Sequence, residues 1–229
     1  MRLIKEGKTK NVYELPDGNY VMKLKDDATG TDGVFDPGSN SVGLTIEGLG
    51  KKSLEITRYY FEKLNSLGIP THYISSDPDA ATMTVRPAEL FKGSGLEVVC
   101  RLKAAGSFIR RYGEYIKEGE ELDYLVEFTL KDDEKGDPPA TKDTLAMLGI
   151  ITEDEFESVK CLTKKITAIL KEDMQNKGLT LYDIKFEFGR VGGEIALIDE
   201  ISGGSMRVYH DGKPVEPMDI GGYVLGGGA

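Results

Sequence analysis

The sequence predicts an α+β fold. Hairpin patterns lie near both ends of the chain, two amphipathic helical patterns lie between them, and the elements mix without regular βαβ alternation. The first hairpin joins residues 12–15 to 20–24 through Pro16-Asp17-Gly18-Asn19, all turn formers. Residues 26–50, rich in Gly, Asp and Thr, read as irregular. Leu54, Phe61 and Leu64 then recur at helical spacing, and Gly68 and Pro70 stop that helix. Short strands follow near 71–74 and 82–85, with Asp77-Pro78-Asp79 turning between them. Residues 96–102 and 126–130 read as buried strands. Thr152 and Glu155 fit a capping box, and the helix they open runs to about Gly178. Its apolar side carries Val159, Leu162, Ile166, Ile169 and Leu170. The closing hairpin joins 181–188 to 194–199 through a loop holding Gly189, Gly192 and Gly193. The glycine-rich tail from Gly221 onward is expected to fray.

Composition narrows the function. At 229 residues the chain suits one large domain or two lobes sharing a cleft. Hydrophobic residues at 39% and charged residues at 30% are globular values. No apolar run approaches the roughly 20 residues that span a bilayer, and the N-terminus has no signal-peptide core, so no membrane partner and a cytoplasmic location are expected. Cys100 and Cys161 read as two buried thiols in a reducing compartment. His72 and His210 stand alone, which removes support for a zinc site or a Ser-His-Asp triad, and His72 reads as structural. A net charge of −10 argues against nucleic-acid binding. Any site for anions must gather its positive charge locally.

The sharpest local signal is Tyr182-Asp183-Ile184-Lys185-Phe186-Glu187-Phe188. Strand alternation puts Asp183, Lys185 and Glu187 on one face and Tyr182, Ile184, Phe186 and Phe188 on the other. Plain solvent exposure would produce the same pattern. Asp199-Glu200, however, ends the apolar strand opposite. Carboxylates from two strands of a hairpin suit Mg²⁺, a hard cation usually held by one or two carboxylates plus phosphate oxygens.

Other segments are weaker. Gly7-Lys8-Thr9-Lys10 is not a P-loop, because position 2 is arginine and a hairpin follows where a helix should. A loop between strands can still cover nucleotide phosphates, although paired lysines are also common in water. Residues 26–33 lack EF-hand spacing and read as a turn-rich loop able to hold a small anion. Arg101 ends a buried strand, and Ala104-Ala105-Gly106-Ser107 offers close backbone approach and a helix start at Ser107. Arg110 and Arg111 either join that patch or face water. The loop 131–138 reads as charged and solvated.

Taken together and in order, these segments resemble the SAICAR synthetase family over roughly residues 3–212. The resemblance rests on Glu6-Gly7-Lys8-Thr9-Lys10-Asn11-Val12-Tyr13, Asp27 to Gly33, Phe61-Glu62-Lys63-Leu64 and Gly68-Ile69-Pro70-Thr71. It continues through Leu96-Glu97-Val98-Val99-Cys100-Arg101, Ala104 to Ser107, Lys131-Asp132-Asp133 and Asp137-Pro138. Asp183 to Gly189 and Asp199-Glu200-Ile201-Ser202 through Arg207 carry the most information.

The resemblance implies a two-lobed fold, with a β-rich ATP lobe at 1–90 and a larger α+β lobe at 91–229. It implies ATP and Mg²⁺ as cofactors, and an ATP-dependent ligase joining a carboxylated imidazole ribonucleotide (CAIR) to L-aspartate through an acyl phosphate. Gly7, Lys8, Thr9, Lys10 and Val12 would cover ATP, with Lys185 bridging nucleotide and substrate. Glu187 and Asp199 would hold Mg²⁺. Arg101, Ser107 and Arg207 would bind the ribonucleotide, with Thr29 and Asp32 beside it and Lys131 and Asp137 on the substrate side. Partners would be small molecules, and a homodimer is expected.

Three departures stand out. Gly203-Gly204 replaces the family's Pro-Asp, and Val208-Tyr209-His210-Asp211 replaces Leu-Trp-Asp after the arginine. The stretch 34–50 is longer than expected, and most of the usual C-terminal helical segment is missing. A divergent carboxylate–amine ligase and a small-molecule kinase remain compatible with the same residues.

Overall fold

The structure, a computed structural model, describes residues 1–31, 34–35 and 42–226. The chain opens with three antiparallel strands, β1 (Arg2–Glu6), β2 (Lys10–Glu14) and β3 (Tyr20–Leu24), the last two forming the expected hairpin. The described residues of 26–50 are not irregular. They supply β4 (Asp27–Thr31), β5 (Val34–Phe35) and β6 (Val42–Thr45), a small antiparallel sheet. Its Gly- and Asp-rich strands lack the apolar alternation by which strands are read from sequence.

Helix α1 (Leu49–Ser66) buries Leu54, Tyr60, Phe61 and Leu64 and ends ahead of Gly68. Strands β7 (Tyr73–Asp77) and β8 (Thr82–Val85) complete a five-stranded sheet in the order β1-β2-β3-β8-β7.

Strands β9 (Glu89–Leu90) and β10 (Leu96–Lys103) begin the large sheet, and the short helix α2 (Ser107–Tyr112) follows. Next come β11 (Glu121–Leu130), α3 (Lys142–Met147) and α4 (Glu153–Gln175). Thr152 and Glu155 form both bonds of the capping box that opens α4. Strand β12 (Leu179–Val191) pairs with β10, β13 (Glu194–Ile198) and β14 (Met206–His210), so it is the spine of the sheet. Gly189 lies inside this strand, and the turn is Gly192-Gly193 alone. Strand β15 (Lys213–Pro214) pairs with β14. The tail does not fray from Gly221. Residues 217–224 form α5 (Pro217–Val224), which buries Ile220, Gly221 and Val224 and packs on α1. None of the described helices is long and apolar enough to cross a membrane.

Strand alternation divides the large sheet. Val98, Cys100, Leu102, Ile184, Phe186 and Phe188 are buried on the side covered by α4. Fully burying such a side chain stabilises the fold by about 1.5–3 kcal/mol. They belong to one apolar cluster that continues through Met22, Tyr60, Met83 and Val85 of the five-stranded sheet and its helix. The boundary expected after residue 90 falls at the end of β9, which pairs with β12. Tyr182 departs from the simple alternation. A β-bulge between Leu181 and Asp183 takes it off the apolar row, and its ring stacks on Tyr209 at 3.7 Å.

Asp173 ties α1 to α4. Tyr59 donates to it at 2.9 Å and Lys177 at 2.7 Å, and Lys63 completes the cluster. Burial pushes its carboxyl up, but these donors outweigh burial and hold it below the usual range. We expect Asp173→Asn to cost about 2 kcal/mol at pH 7, between the values for exposed and fully buried pairs. A depressed carboxylate stabilises above its unfolded value, so the gap to wild type should close below about pH 3.9. Urea denaturation across pH 2–7 checks both statements; a gap that is constant with pH would contradict the ionic origin.

Candidate active site

The open face of the large sheet is charged because the period of a strand is two and its other face is full. Glu97, Val99 and Arg101 of β10 stand beside Glu187, Lys185 and Asp183 of β12 in direct register. Asp183 also stands beside Arg207 of β14, and Glu127 of β11 stands beside Val99. Each charge on β12 is matched from another segment.

At one end Asp183 is buried between two arginines. Arg101 Nη1 donates to it at 2.9 Å, and Arg207 Nη1 donates at 2.9 and 3.2 Å. Burial pushes the Asp183 carboxyl up, against the opposing pull of Arg207 and Arg101. Arg101 also donates to Glu127, which takes Arg111 on its other oxygen, and to Ser107 Oγ at 2.9 Å. Gly106 makes this arrangement possible. Its φ is +56°, and a Cβ there would lie 2.5 Å from the Arg207 guanidinium carbon. These groups line a cleft of about 320 Å³ whose walls carry five cationic side chains and four carboxylates. That surplus is local, in a chain of net charge −10.

In the middle, Lys185 donates to Glu97 at 2.8 Å. At the other end stand Glu187, Asp199 and Glu200. Lys131 pairs with Glu187, while Lys10 pairs with both Asp199 and Glu200. Burial and the neighbouring Asp199 push the Glu187 carboxyl up. Burial acts the same way on Asp199, but Lys10 and Lys131 reverse it and hold that carboxyl low. Both lysines are held charged, since their acidic neighbours outweigh the cost of burial.

Asp199 reaches this cluster through an unusual backbone. Glu187 stands opposite Ile198, so plain alternation would send residue 199 to the buried side with Leu197. Its φ of +69°, rare for a non-glycine residue, returns the carboxylate to the side of Glu187. The buried His72 ring lies under it, Nε2 at 3.1 Å from the Asp199 carbonyl oxygen, and burial pushes the imidazole down to about pKa 4.

The loop at Gly7 folds over this end. Gly7 N–H donates to Lys10 O at 2.9 Å, and a Cβ on Gly7 would meet that oxygen at 2.8 Å. Lys25 Nζ bonds Gly7 O at 2.8 Å, and Lys25 N–H bonds Thr9 O at 2.8 Å. Lys8 is exposed on the turn, and Val12 packs against the core.

Most of the expected site residues therefore meet on one sheet face. Lys131 turns to Glu187 at the carboxylate end and not to the arginine cleft. Asp137 lines that cleft and accepts the Asp132 N–H at 2.8 Å. Thr29 lies in β4 with its backbone paired to Val42, and Asp32 lies outside the described residues. The sequence patterns single out Asp183 and Glu200 without a role, leave Arg111 between the patch and water, and do not mark the first two acidic members of this face, Glu97 and Glu127. Alternation along 96–102 and 126–130 would have placed those two on the face of Arg101 and Lys185.

Among the described residues, no three His, Cys, Asp or Glu side chains form a preformed metal centre. The carboxylates of Glu187 and Asp199 suit a cation completed by phosphate oxygens.

Comparison with known proteins agrees along most of the chain. The SAICAR synthetase family model matches residues 3–219. A phosphoribosylaminoimidazole-succinocarboxamide synthase of Clostridium tetani (strain Massachusetts / E88) is 58% identical over 222 residues, covering 96% of this chain and 97% of that protein. One of Aquifex aeolicus (strain VF5) is 39% identical, covering 91% and 92%. A solved SAICAR synthetase (type 2) in complex with ADP superposes with a TM-score of 0.85 at 29% identity, covering 97% of each chain.

The crowding at Gly106 has a measurable consequence. Gly106→Ala should destabilise the protein by about 1–3 kcal/mol through backbone strain and the Arg207 clash. In an Arg207→Ala background the clash is gone, so chemical denaturation should give a smaller loss. Equal losses in both backgrounds would remove Arg207 from the explanation.

Proposed function

Because the chain belongs to the SAICAR synthetase family, we infer that this charged sheet face performs the family's ligation, the ATP-dependent joining of CAIR to L-aspartate to give SAICAR, ADP and phosphate. One juxtaposition carries the reading at the level of residues. A lysine-bound carboxylate cluster and an arginine-lined cleft share one sheet face, with Lys185 between them.

The roles follow from charge. The turn at Gly7 lies over the triphosphate, with Lys10 and Lys131 offsetting its charge. Glu187 and Asp199 would hold Mg²⁺, which when bound would supply positive charge against the migrating phosphoryl group. Arg207, Ser107 and Arg101 take the ribonucleotide phosphate, with Asp183 fixing the two guanidiniums. Lys185 sits two residues from both Asp183 and Glu187, or about 7 Å along the strand in each direction. It therefore faces the imidazole carboxylate and the γ-phosphate together.

A free carboxylate is a poor acyl donor. Its oxygen first attacks the γ-phosphorus, forming an O–P bond as the bond to ADP breaks. The aspartate amine then attacks the carbonyl carbon of this acyl phosphate. Phosphate leaves with the bonding pair, and the new amide nitrogen loses a proton. Three anions must meet, so holding them together and neutralising them is most of the catalysis.

A phosphate-release assay omitting ATP, CAIR or aspartate in turn tests the reaction. Release should require all three, and a stable phosphorylated product formed without aspartate would instead indicate a kinase. Glu187→Gln and Asp199→Asn should each lower kcat by roughly 100–1000-fold. Arg207→Ala should raise the KM for CAIR by about 10–100-fold, the loss of one charge-assisted contact. A rise confined to ATP would move Arg207 to the nucleotide side.

A further inference from the structure

The segment before β7 joins the two large sheets at the acidic cluster. Residues 70–72 run parallel to β13: Leu197 N–H donates to Pro70 O at 2.9 Å, and His72 N–H donates to Leu197 O at 3.0 Å. The His72 side chain extends this ladder by one residue, with Nε2 at 3.1 Å from Asp199 O. A carbonyl oxygen only accepts, so the contact puts the proton of the neutral ring on Nε2. The ring has little freedom to turn away. His72 is 3% exposed, and the ring of Phe61 lies 5.6 Å from it.

Asp199 needs an external hold. Its left-handed backbone is disfavoured for a residue with a Cβ, yet that backbone presents the carboxylate to Lys10 and Glu187. We propose that His72 is a positioning residue for the ligation, its Nε2–H gripping the Asp199 carbonyl so that the reversed turn is held and the carboxylate stays in the cluster. The proposal rests on the placement of Asp199 at the nucleotide end of the site.

Three variants separate positioning from packing. In His72→Gln the amide nitrogen reaches the place of Nε2. In His72→Asn it reaches only the place of Nδ1, and His72→Met fills the volume with no donor. We expect His72→Gln to stay within the same order of magnitude as wild type. His72→Asn and His72→Met should lose roughly 10–100-fold in kcat/KM for ATP, with ADP affinity by calorimetry falling in parallel and the KM for CAIR unchanged. Wild-type values in the Asn and Met proteins, a fall in Gln as deep as in Met, or equal losses toward every substrate would overturn the proposal. If His72→Met does not fold, the Gln–Asn comparison decides. Asp199→Asn is measured alongside. Wild-type turnover in that variant would overturn the site assignment and the proposal with it, whereas a crippled Asp199→Asn beside an unaffected His72→Met overturns the proposal alone.

Discussion

The pairing of buried and half-buried opposite charges along β12 is the constraint on which the rest of the molecule depends. Asp183, Lys185 and Glu187 occupy the face that α4 does not cover, and each meets a counter-charge from outside β12. A buried charge without a partner is costly, so each pairing fixes a neighbour. Asp183 fixes β14 through Arg207, Glu127 fixes α2 through Arg111, and Glu187 fixes the loop after β11 through Lys131. Asp199 and Glu200 together bring in Lys10 and the turn that precedes it.

This arrangement explains how an acidic protein can gather anionic substrates. The cations are held in place by carboxylates that only partly neutralise them, and what remains is positive where the cleft opens. Preorganised charge of this kind needs little rearrangement when substrate arrives. The same carboxylates limit the attraction, so that binding depends on fit as well as on charge.

Much of this was legible in the sequence. The hairpins, the capping box at Thr152 and the charged face of β12 follow from periodicity and turn chemistry, which are local. The small sheet of β4–β6 was not legible, because glycine and aspartate carry no strand pattern. Nor was α5, whose glycines suggest a loose tail until α1 is there to pack against. Tyr182 misled because a bulge breaks alternation without a sequence mark. Asp199 is the subtler case. Its facing depends on a backbone reversal that no spacing rule reports. His72, which reads as structural, hydrogen-bonds a carbonyl and not a side chain, a kind of contact that motifs do not encode.

The continuity of the apolar cluster through both sheets has a mechanical consequence. Two bodies that share one interior cannot hinge apart without exposing it to water, so wholesale opening of the enzyme would amount to unfolding. Substrate entry then falls to surface segments that lie over a platform whose interior stays packed.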